Sequence, residues 1–197
     1  MALSPYLSAP NYHGGCGRLA VFTHGGKSLA SFIHSSWNIR VKLALQLLQI
    51  SMNLSSNSIG LAIYPTDWAA HNWAVDYNGT IKLVDLENII LVNVTNMQGR
   101  TVQHISDNYG CPDNECFSYS VPQLCSHETT DHNFHGVCGS LLAPSPYSIN
   151  LLHTIPHEVL KRHPSLPSDL VACWRGGKYG SRRNAVLRLT NILADNG

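Results

Sequence analysis

The chain carries one clear β-hairpin signal, with an amide and an acid at its two ends. The runs Trp73–Tyr77 and Thr80–Val84 are both rich in apolar and β-forming residues. Between them, Asn78-Gly79 predicts a tight type I′ turn, which requires positive φ at both central positions. Since an antiparallel hairpin brings its outer ends together, we expect Asn72 and Asp85 to lie close to each other.

A third polar side chain, Asp67, precedes the hairpin by one short loop. The three residues Asp67, Asn72 and Asp85 follow the order D-x4-N-x12-D. Carboxylate and amide oxygens bind hard cations such as Mg²⁺, and a separate aspartate can orient an attacking hydroxyl. The pattern therefore indicates phosphoryl transfer with a divalent metal. The alternative is ordinary turn chemistry, because Asp and Asn also cap turns and helix starts.

The composition indicates one globular domain and gives little support to a nucleic acid or a membrane surface as partner. The 197 residues are 44% apolar and 13% charged, with a net charge of +1. This balance argues against disorder, and it gives no support to a nucleic acid partner. The N-terminal "MALSPYLSAPNYHGG" lacks the apolar core of a signal peptide, and the apolar stretch 39–54 is too polar to span a bilayer. We expect no signal peptide and no transmembrane segment in this chain.

Hydrophobic periodicity predicts a mixed α+β unit. The strongest helical pattern runs from about Trp37 to Met52, with Ser35 or Ser36 as its N-cap, and its apolar positions go nearly all the way round. Such a helix is normally buried at the centre of a domain. Strands are expected at 18–23, 61–64 and 88–94.

The remaining segments are expected to be less regular or helical. Residues 1–12 are Pro/Ser-rich and predicted to be poorly ordered, and residues 104–148 are predicted to be an irregular Cys-rich segment. Helical patterns follow in "SINLLHTIPHEVLKRH" and "RRNAVLRLTNILADN", with "PSLPS" between them as a breaker.

The cysteines suggest disulfide bonds. An even count, with four of the six clustered in a loop-like segment, favours disulfides. The alternative is a zinc site built from Cys111, Cys116, Cys125 and Cys138 with His127, His132 and His135. The spacing does not fix the connectivity. The disulfide candidates are Cys16, Cys111, Cys116, Cys125, Cys138 and Cys173. Three sequons, at Asn53, Asn78 and Asn93, are candidates for glycosylation.

Several longer segments resemble a known family. The D-x4-N-x12-D order matches the spacing of a protein-kinase catalytic core. With it, "SSWNIRVKLALQLLQI", "VDLENII" and "DHNFHGVC" resemble the divergent protein kinase domain 2 family, the secretory-pathway group that includes the "deleted in autism" protein. The resemblance extends from about Gly15 to the C-terminus.

This resemblance implies a fold and a domain organisation. The expected fold is an α+β, protein-kinase-like C-terminal lobe, mostly helical with a small β-hairpin and with the N-lobe largely missing. Residues 13–197 would form this lobe, including a hinge remnant at 13–34 and the Cys-rich insert at 104–148. We expect the sequence to be truncated at its N-terminus.

The resemblance also implies roles for individual residues. Asp67 would accept the proton of the attacking hydroxyl, while Asn72 and Asp85 would hold the divalent ions, Mg or Mn, that accompany ATP. Glu87 stands where kinases have the Gly of DFG. It is either a third carboxylate for the metals or a solvated charge.

The chain also departs from the kinase pattern. Pro65 and Thr66 replace the His and Arg of HRD, and Ala69 replaces a Lys that many kinases use to neutralise the transferred phosphate. Before Asp67 there are too few residues for a Gly-rich loop and a Lys–Glu pair. We therefore expect the chain by itself to bind ATP poorly.

Two functions follow as hypotheses. One is an atypical kinase that transfers phosphate from ATP to a hydroxyl on a protein acceptor or a sugar. The other is a catalytically inactive pseudokinase, secreted or resident in the Golgi, that signals by binding a receptor or other protein. Both would act in the secretory pathway. The alternative location is the cytosol, with six reduced cysteines.

Two further segments resemble enzyme signatures only in part. "HGGKS" at 24–28 looks like part of a phosphate-binding loop, but Val21 stands where that loop needs a glycine. "RGGKYGSRR" at 175–183 fails the same comparison and is expected to be a solvated loop before the last helix. A Ser or Cys hydrolase has no G-x-S-x-G motif to support it.

Overall fold

The computed structural model of the protein describes residues 8–87, 89–94, 101–102, 129–146, 148–176 and 179–196, with backbone only for 101–102 and 129–130. Within these ranges the chain is an α+β unit of helices and small, mostly antiparallel sheets. At this level the predicted fold class is confirmed.

The predicted central helix is α1, Trp37–Ser55, which ends slightly later than the sequence pattern indicated. It packs against strand β4 (Leu61–Pro65), helix α2 (His132–Gly136) and the last helix, α5 (Arg182–Ala194). Neither α1 nor any other helix in the described ranges has the length and hydropathy of a membrane span. Because α1 contacts elements from three parts of the chain, it forms the middle of the core.

The strands form small separate sheets. Those that the sequence predicted lie close to the predicted positions, whereas the strands at Tyr12–Cys16, Lys27–Ser28, Thr101–Val102 and Thr129–Thr130 were not predicted. In the first sheet β3 and β6 flank β5, while β4 pairs with β7 and β1 with β2, all antiparallel. A short parallel pair, β8 with β9, lies outside these sheets. The strands not yet given are β1 (Tyr12–Cys16), β2 (Leu19–Phe22), β3 (Lys27–Ser28), β5 (Trp73–Val75), β6 (Ile81–Leu83), β7 (Ile89–Asn93), β8 (Thr101–Val102) and β9 (Thr129–Thr130).

The hairpin β5–β6 is present, but its turn is not the predicted type I′ turn. Asp76 pairs with Thr80, the Gly79 N–H donates to the Asp76 carbonyl at 3.0 Å, and Gly79 has φ +78°. Asn78 is not among the described non-glycine residues with positive φ. The connection is therefore a type I turn followed by a left-handed glycine. The Asp76 carboxylate favours this form, because its Oδ1 accepts the N–H groups of Asn78 and Thr80, each at 2.9 Å.

The N-terminal segment is ordered earlier than predicted. Residues 1–7 lie outside the described residues, but Ser8 is held against β6. Its carbonyl accepts the Leu83 N–H at 2.7 Å, and its hydroxyl donates to the Ile81 carbonyl. Strand β1 then begins at Tyr12. The expected poorly ordered segment at residues 1–12 is therefore held to the edge of β6 at Ser8 and is part of a strand from Tyr12.

The glycines of "HGGKS" have a packing role. A Cβ on Gly25 would lie 2.6 Å from Val84, and one on Gly26 would lie 2.0 Å from the carbonyl oxygen of Val75. The chain therefore passes too close to the hairpin for any side chain. Residues 29–32 then form a short 3-10 helix in place of the α-helix that follows a phosphate-binding loop. The motif is explained without a phosphate.

Residues 132–142 are helical and buried, which corrects the prediction of an irregular segment over 104–148 at its C-terminal end. Helix α2 continues directly into a π-helix at Val137–Leu142. Apolar side chains from this stretch enter the core, among them Phe134, Val137 and Leu141. The polar residues that made the segment look like a loop are buried and bonded to distant parts of the chain.

The C-terminal helices differ from the predicted ones at their boundaries. Helix α3 is His157–Arg162 and helix α4 is Leu166–Arg175, so "PSLPS" begins a helix where a breaker was expected. Pro167 lies in the first turn of α4, where its missing N–H costs nothing.

The first half of the predicted "SINLLHTIPHEVLKRH" helix is a turn segment fastened to α1. Asn150 and Thr154 both have φ +49°, a conformation that interrupts a helix. Arg40, only 5% exposed, donates from Nη1 to the carbonyls of Leu151 at 2.8 Å and His153 at 2.7 Å. Burial lowers the pKa of Arg40. A buried arginine of the central helix therefore anchors this segment.

Candidate functional site

Asp67 lies in the loop that connects β4 to β5. Its carboxylate is exposed, and Oδ1 accepts the backbone N–H of Ala69 at 2.8 Å. This Asx turn fixes the side chain at the start of the loop. One carboxylate oxygen is thus engaged by the backbone while the group as a whole faces solvent.

Asn72 ends the same loop and folds back on Asp67. It is 4% exposed, its backbone N–H donates to the Ala69 carbonyl at 3.0 Å, and its Nδ2 donates to the Asp67 carbonyl at 3.4 Å. The amide nitrogen is therefore directed at the loop backbone, which orients the amide oxygen as the acceptor atom of the side chain.

Asp85 is brought to Asn72 by the strand pairing. Trp73 pairs with Leu83, and the Val84 N–H donates to the Asn72 carbonyl at 2.9 Å. Asp85, the next residue, is half-buried, and its Oδ1 accepts the Glu87 N–H at 3.0 Å. The hairpin thus places Asp85 one residue beyond Val84, the cross-strand partner of Asn72, as its antiparallel geometry requires.

Glu87 is exposed at the end of this segment. Within the described ranges, no three or more His, Cys, Asp or Glu side chains gather as a group able to hold a metal. That absence concerns His, Cys, Asp and Glu only, so it does not cover the amide of Asn72. Metal binding by Asn72, Asp85 and Glu87 stays a prediction.

The loop between Asp67 and Asn72 packs on two buried tryptophan side chains, a feature that the sequence did not reveal. Trp68 and Trp73 are 3% and 0% exposed, with ring centroids 4.9 Å apart. Gly136 of α2 lies against the Trp68 ring, where a Cβ would come within 2.2 Å of Cδ1. A tryptophan directly after each of Asp67 and Asn72 was the only available signal, and it reads equally well as part of a strand.

Two polar residues of α2 hold β4, the strand that leads into the loop. His132 is 3% exposed, and its Nε2 lies 3.1 Å from the Pro65 carbonyl, to which it must donate. Asn133 donates from Nδ2 to the Ile63 carbonyl at 2.9 Å. His132, one of the histidines in the zinc alternative, therefore has a structural role here.

The cysteines are only partly described. Cys138 and Cys173 form a disulfide that joins the π-helix to α4, in agreement with the disulfide prediction for these two residues. This bond removes Cys138 from the zinc alternative. Cys16 departs from the prediction, since it carries a free thiol on the exposed hairpin β1–β2, away from the core. Cys111, Cys116 and Cys125, together with His127, lie outside the described residues.

The three sequon asparagines are all exposed. Asn53 lies on α1 and accepts a hydrogen bond from Gln49 at 2.9 Å, Asn78 lies in the β5–β6 turn, and Asn93 ends β7. Exposure is compatible with glycosylation, which stays a prediction for each of them.

Comparison with known proteins gives one family. Residues 3–175 match the family described as "Protein-kinase domain of FAM69". The chain is similar to "Divergent protein kinase domain 2A" of Mus musculus, with 32% identity over 193 residues, and to the Homo sapiens and Xenopus tropicalis proteins of that name, each with 33% identity. The matches cover 93% of this chain and 45% of each relative, so the chain spans under half the length of these relatives.

Proposed function

Because the chain belongs to the family of FAM69 protein-kinase domains, we propose that Asp67, Asn72 and Asp85 form the catalytic side of a nucleotide site that transfers phosphate to a hydroxyl. The observation that supports this most directly is their connection through the backbone. Asn72 bonds to Asp67 through its side chain and to Val84, the neighbour of Asp85, through its carbonyl.

The residues present fit a divalent ion bound with ATP. Mg²⁺ is usually held by one or two protein oxygen ligands together with substrate phosphates, and Asn72 and Asp85 offer an amide oxygen and a carboxylate. Such an ion neutralises the charge on the transferred phosphoryl group. Glu87 is close enough in sequence to add a further carboxylate.

The proposed reaction assigns the proton to Asp67. As the acceptor hydroxyl oxygen bonds to the γ-phosphorus of ATP, its proton passes to the Asp67 carboxylate, and the bond from that phosphorus to the ADP oxygen breaks. The Asx turn to Ala69 limits rotation of the carboxylate. This positioning reduces the entropy cost of the transfer.

The alternative is a pseudokinase that binds a protein partner without phosphate transfer. Thr66 and Ala69 favour it, because they replace an Arg and a Lys that many kinases use in activation and charge neutralisation. In this case the loop would keep its conformation but would not catalyse phosphate transfer.

A thermal-shift measurement with ATP and Mg²⁺ or Mn²⁺ tests the site. Because the sequence predicts weak ATP binding by the chain alone, the nucleotide must be supplied at high concentration. At about 100-fold above Kd, binding adds about 2.7 kcal/mol, which raises Tm by roughly 5–10 °C. We expect this shift to need the metal and to vanish in Asp85→Ala. Asp195→Ala, which removes an exposed acid at the end of α5, is the matched control and should keep the shift.

Phosphate transfer separates the two functions. With radiolabelled ATP we expect incorporation into the chain or a supplied protein acceptor, and a loss of about 100-fold or more in Asp67→Asn, with nucleotide binding retained. A metal-dependent shift without any transfer would favour the pseudokinase. Absence of both in the folded chain would count against a nucleotide site in these 197 residues.

We also propose that the protein acts in the secretory pathway, with a protein acceptor or receptor as partner. The Cys138–Cys173 disulfide fits an oxidising compartment. When the chain is directed into that pathway of cultured cells by an added signal sequence, we expect a glycosidase-sensitive mass shift that decreases in Asn78→Gln. An unglycosylated product with Cys138 and Cys173 both reduced would contradict this location.

A further inference from the structure

The two candidate site residues of the loop each precede a buried tryptophan. Asp67 comes directly before Trp68, and Asn72 directly before Trp73. The two indole rings meet at a centroid distance of 4.9 Å and an interplanar angle of 31°. Since both rings are almost fully buried, their contact fixes the backbone at both ends of the loop that presents Asp67 and Asn72.

The Trp68 ring in turn packs against the backbone of Gly136, which has no side chain. A Cβ added to Gly136 would fall 2.2, 2.4 and 2.6 Å from three atoms of the indole. Real side chains do not approach so closely, so the absence of a side chain at 136 is what admits the ring. Gly136 belongs to α2, which the bond from Asn133 to the Ile63 carbonyl also fastens to β4. Trp68 therefore docks onto a helix that is already attached to the strand before the loop.

Within the part of the chain that the structure describes, three hydrogen bonds close the loop. Asp67 Oδ1 accepts from the Ala69 N–H, the Ala69 carbonyl accepts from the Asn72 N–H, and the Asp67 carbonyl accepts from Asn72 Nδ2 at 3.4 Å. The Asp67 side chain is exposed, and a solvent-facing bond of this kind opens readily unless packing supports it. The indole beneath the loop provides that packing.

We propose that Trp68 is a positioning residue of the site: packed on Gly136 and against Trp73, it holds the loop that carries Asp67 and Asn72 in the conformation in which Asn72 bonds to the Asp67 backbone carbonyl. This inference rests on the proposed function for what the site does. Whether Trp68 maintains the conformation of the loop does not depend on that function. The relevant property is the bulk of the ring, because the buried Nε1 atoms of Trp68 and Trp73 have no hydrogen-bond partner among the described residues.

The test compares Trp68→Ala with the conservative Trp68→Phe. Hydrogen exchange of the Ala69 and Asn72 amides, measured in the folded protein without nucleotide, reports the loop directly. We expect exchange of both amides to accelerate at least tenfold in Trp68→Ala and to stay within about threefold of wild type in Trp68→Phe. Mg–ATP affinity should fall in Trp68→Ala and be largely retained in Trp68→Phe.

A core variant remote in sequence controls for general loss of stability. Leu189 on α5 is 0% exposed, and Leu189→Ala should lower Tm without accelerating these two amides in the folded protein. Equal acceleration in Leu189→Ala, or unchanged exchange in Trp68→Ala, would overturn the proposal. If Trp68→Ala does not fold, Trp68→Leu takes its place with the same expected direction.

Failure of this inference and failure of the proposed function are distinguishable. If wild type gives no metal-dependent response to ATP, the nucleotide proposal fails, while the exchange rates still decide whether Trp68 positions the loop. If wild type binds Mg–ATP and Trp68→Ala binds it equally well with a loosened loop, Trp68 is a structural residue and the positioning role is wrong.

Discussion

Arg182 lies at the start of α5, 2% exposed, and makes a two-point ion pair with Asp131. Its Nη1 is 3.2 Å from Oδ1 and 3.0 Å from Oδ2 of that carboxylate. Its other nitrogens donate to the carbonyls of Trp174 at 3.2 Å and Arg175 at 2.9 Å. The sequence had indicated a solvated basic loop here. Arg182 instead joins α5 to the residue that precedes α2.

Replacing Arg182 with methionine should be strongly destabilising, because it removes the two-point ion pair of a buried carboxylate, Asp131, together with the bonds to the Trp174 and Arg175 carbonyls. We expect Arg182→Met to lower the free energy of unfolding by about 3–5 kcal/mol. Urea denaturation followed by tryptophan fluorescence measures the change. The neighbouring Arg183 is exposed, so Arg183→Met is the matched control and should stay within about 0.5 kcal/mol of wild type. Equal effects of the two changes would show that the ion pair does not contribute to the free energy of unfolding.

Among the elements, the β5–β6 hairpin shows how a side chain selects a turn. The Asn-Gly pair predicted where the hairpin lies, and it does lie there. The turn type depends instead on Asp76, one residue earlier, whose carboxylate accepts two backbone N–H groups. Gly79 supplies the single left-handed position that the turn needs, with φ +78°.

The two turn types predict opposite rankings of variants. In the observed turn Asp76→Ala loses two hydrogen bonds to a charged acceptor, and we expect a loss of about 1–2 kcal/mol in the free energy of unfolding. Asn78→Ala should cost less than about 0.5 kcal/mol, because the position has ordinary negative φ. Thermal unfolding of both variants checks this. A larger effect at Asn78 than at Asp76 would restore the type I′ interpretation.

Helix α2 is the element that was hardest to predict from the sequence. Asp131, His132 and Asn133 together look like a polar loop, yet they are 7%, 3% and 0% exposed. Each is bonded to a residue more than 50 positions away: Arg182, Pro65 and Ile63. Polar groups are buried where partners exist, and those partners are invisible to any local window.

At the scale of the whole molecule, the Cys138–Cys173 disulfide closes a loop of 35 residues between the π-helix and α4. Both sulfurs are in the core with 0% exposure. A cross-link of this length restricts the unfolded chain and is expected to stabilise the native state by roughly 3–4 kcal/mol.

Removing this bond should therefore lower Tm by about 10 °C. The double variant Cys138→Ala/Cys173→Ala is compared with wild type by calorimetry. A reductant should lower Tm by a similar amount in wild type but not in the double variant. Cys16→Ala, which changes only an exposed free thiol, should leave Tm unchanged. If the double variant melts with wild type, the disulfide makes no contribution to stability.

The sequence by itself determined the features that depend on local pattern. The apolar run from Trp37, the hairpin at Asn78-Gly79 and the D-x4-N-x12-D order were readable because each is encoded by residues within one or two elements. The confirmed family membership came from the same local signals and from longer matching segments.

Only the tertiary structure decided what depends on distant partners. The burial of Arg40 and Arg182, the helix at 132–142 and the seating of Trp68 on Gly136 each join residues far apart in the chain. A local window records the polarity of such residues but not the carbonyl, carboxylate or glycine that meets them after folding. These residues contribute to stability through contacts with those distant partners, so their contribution is gained only when the chain is folded.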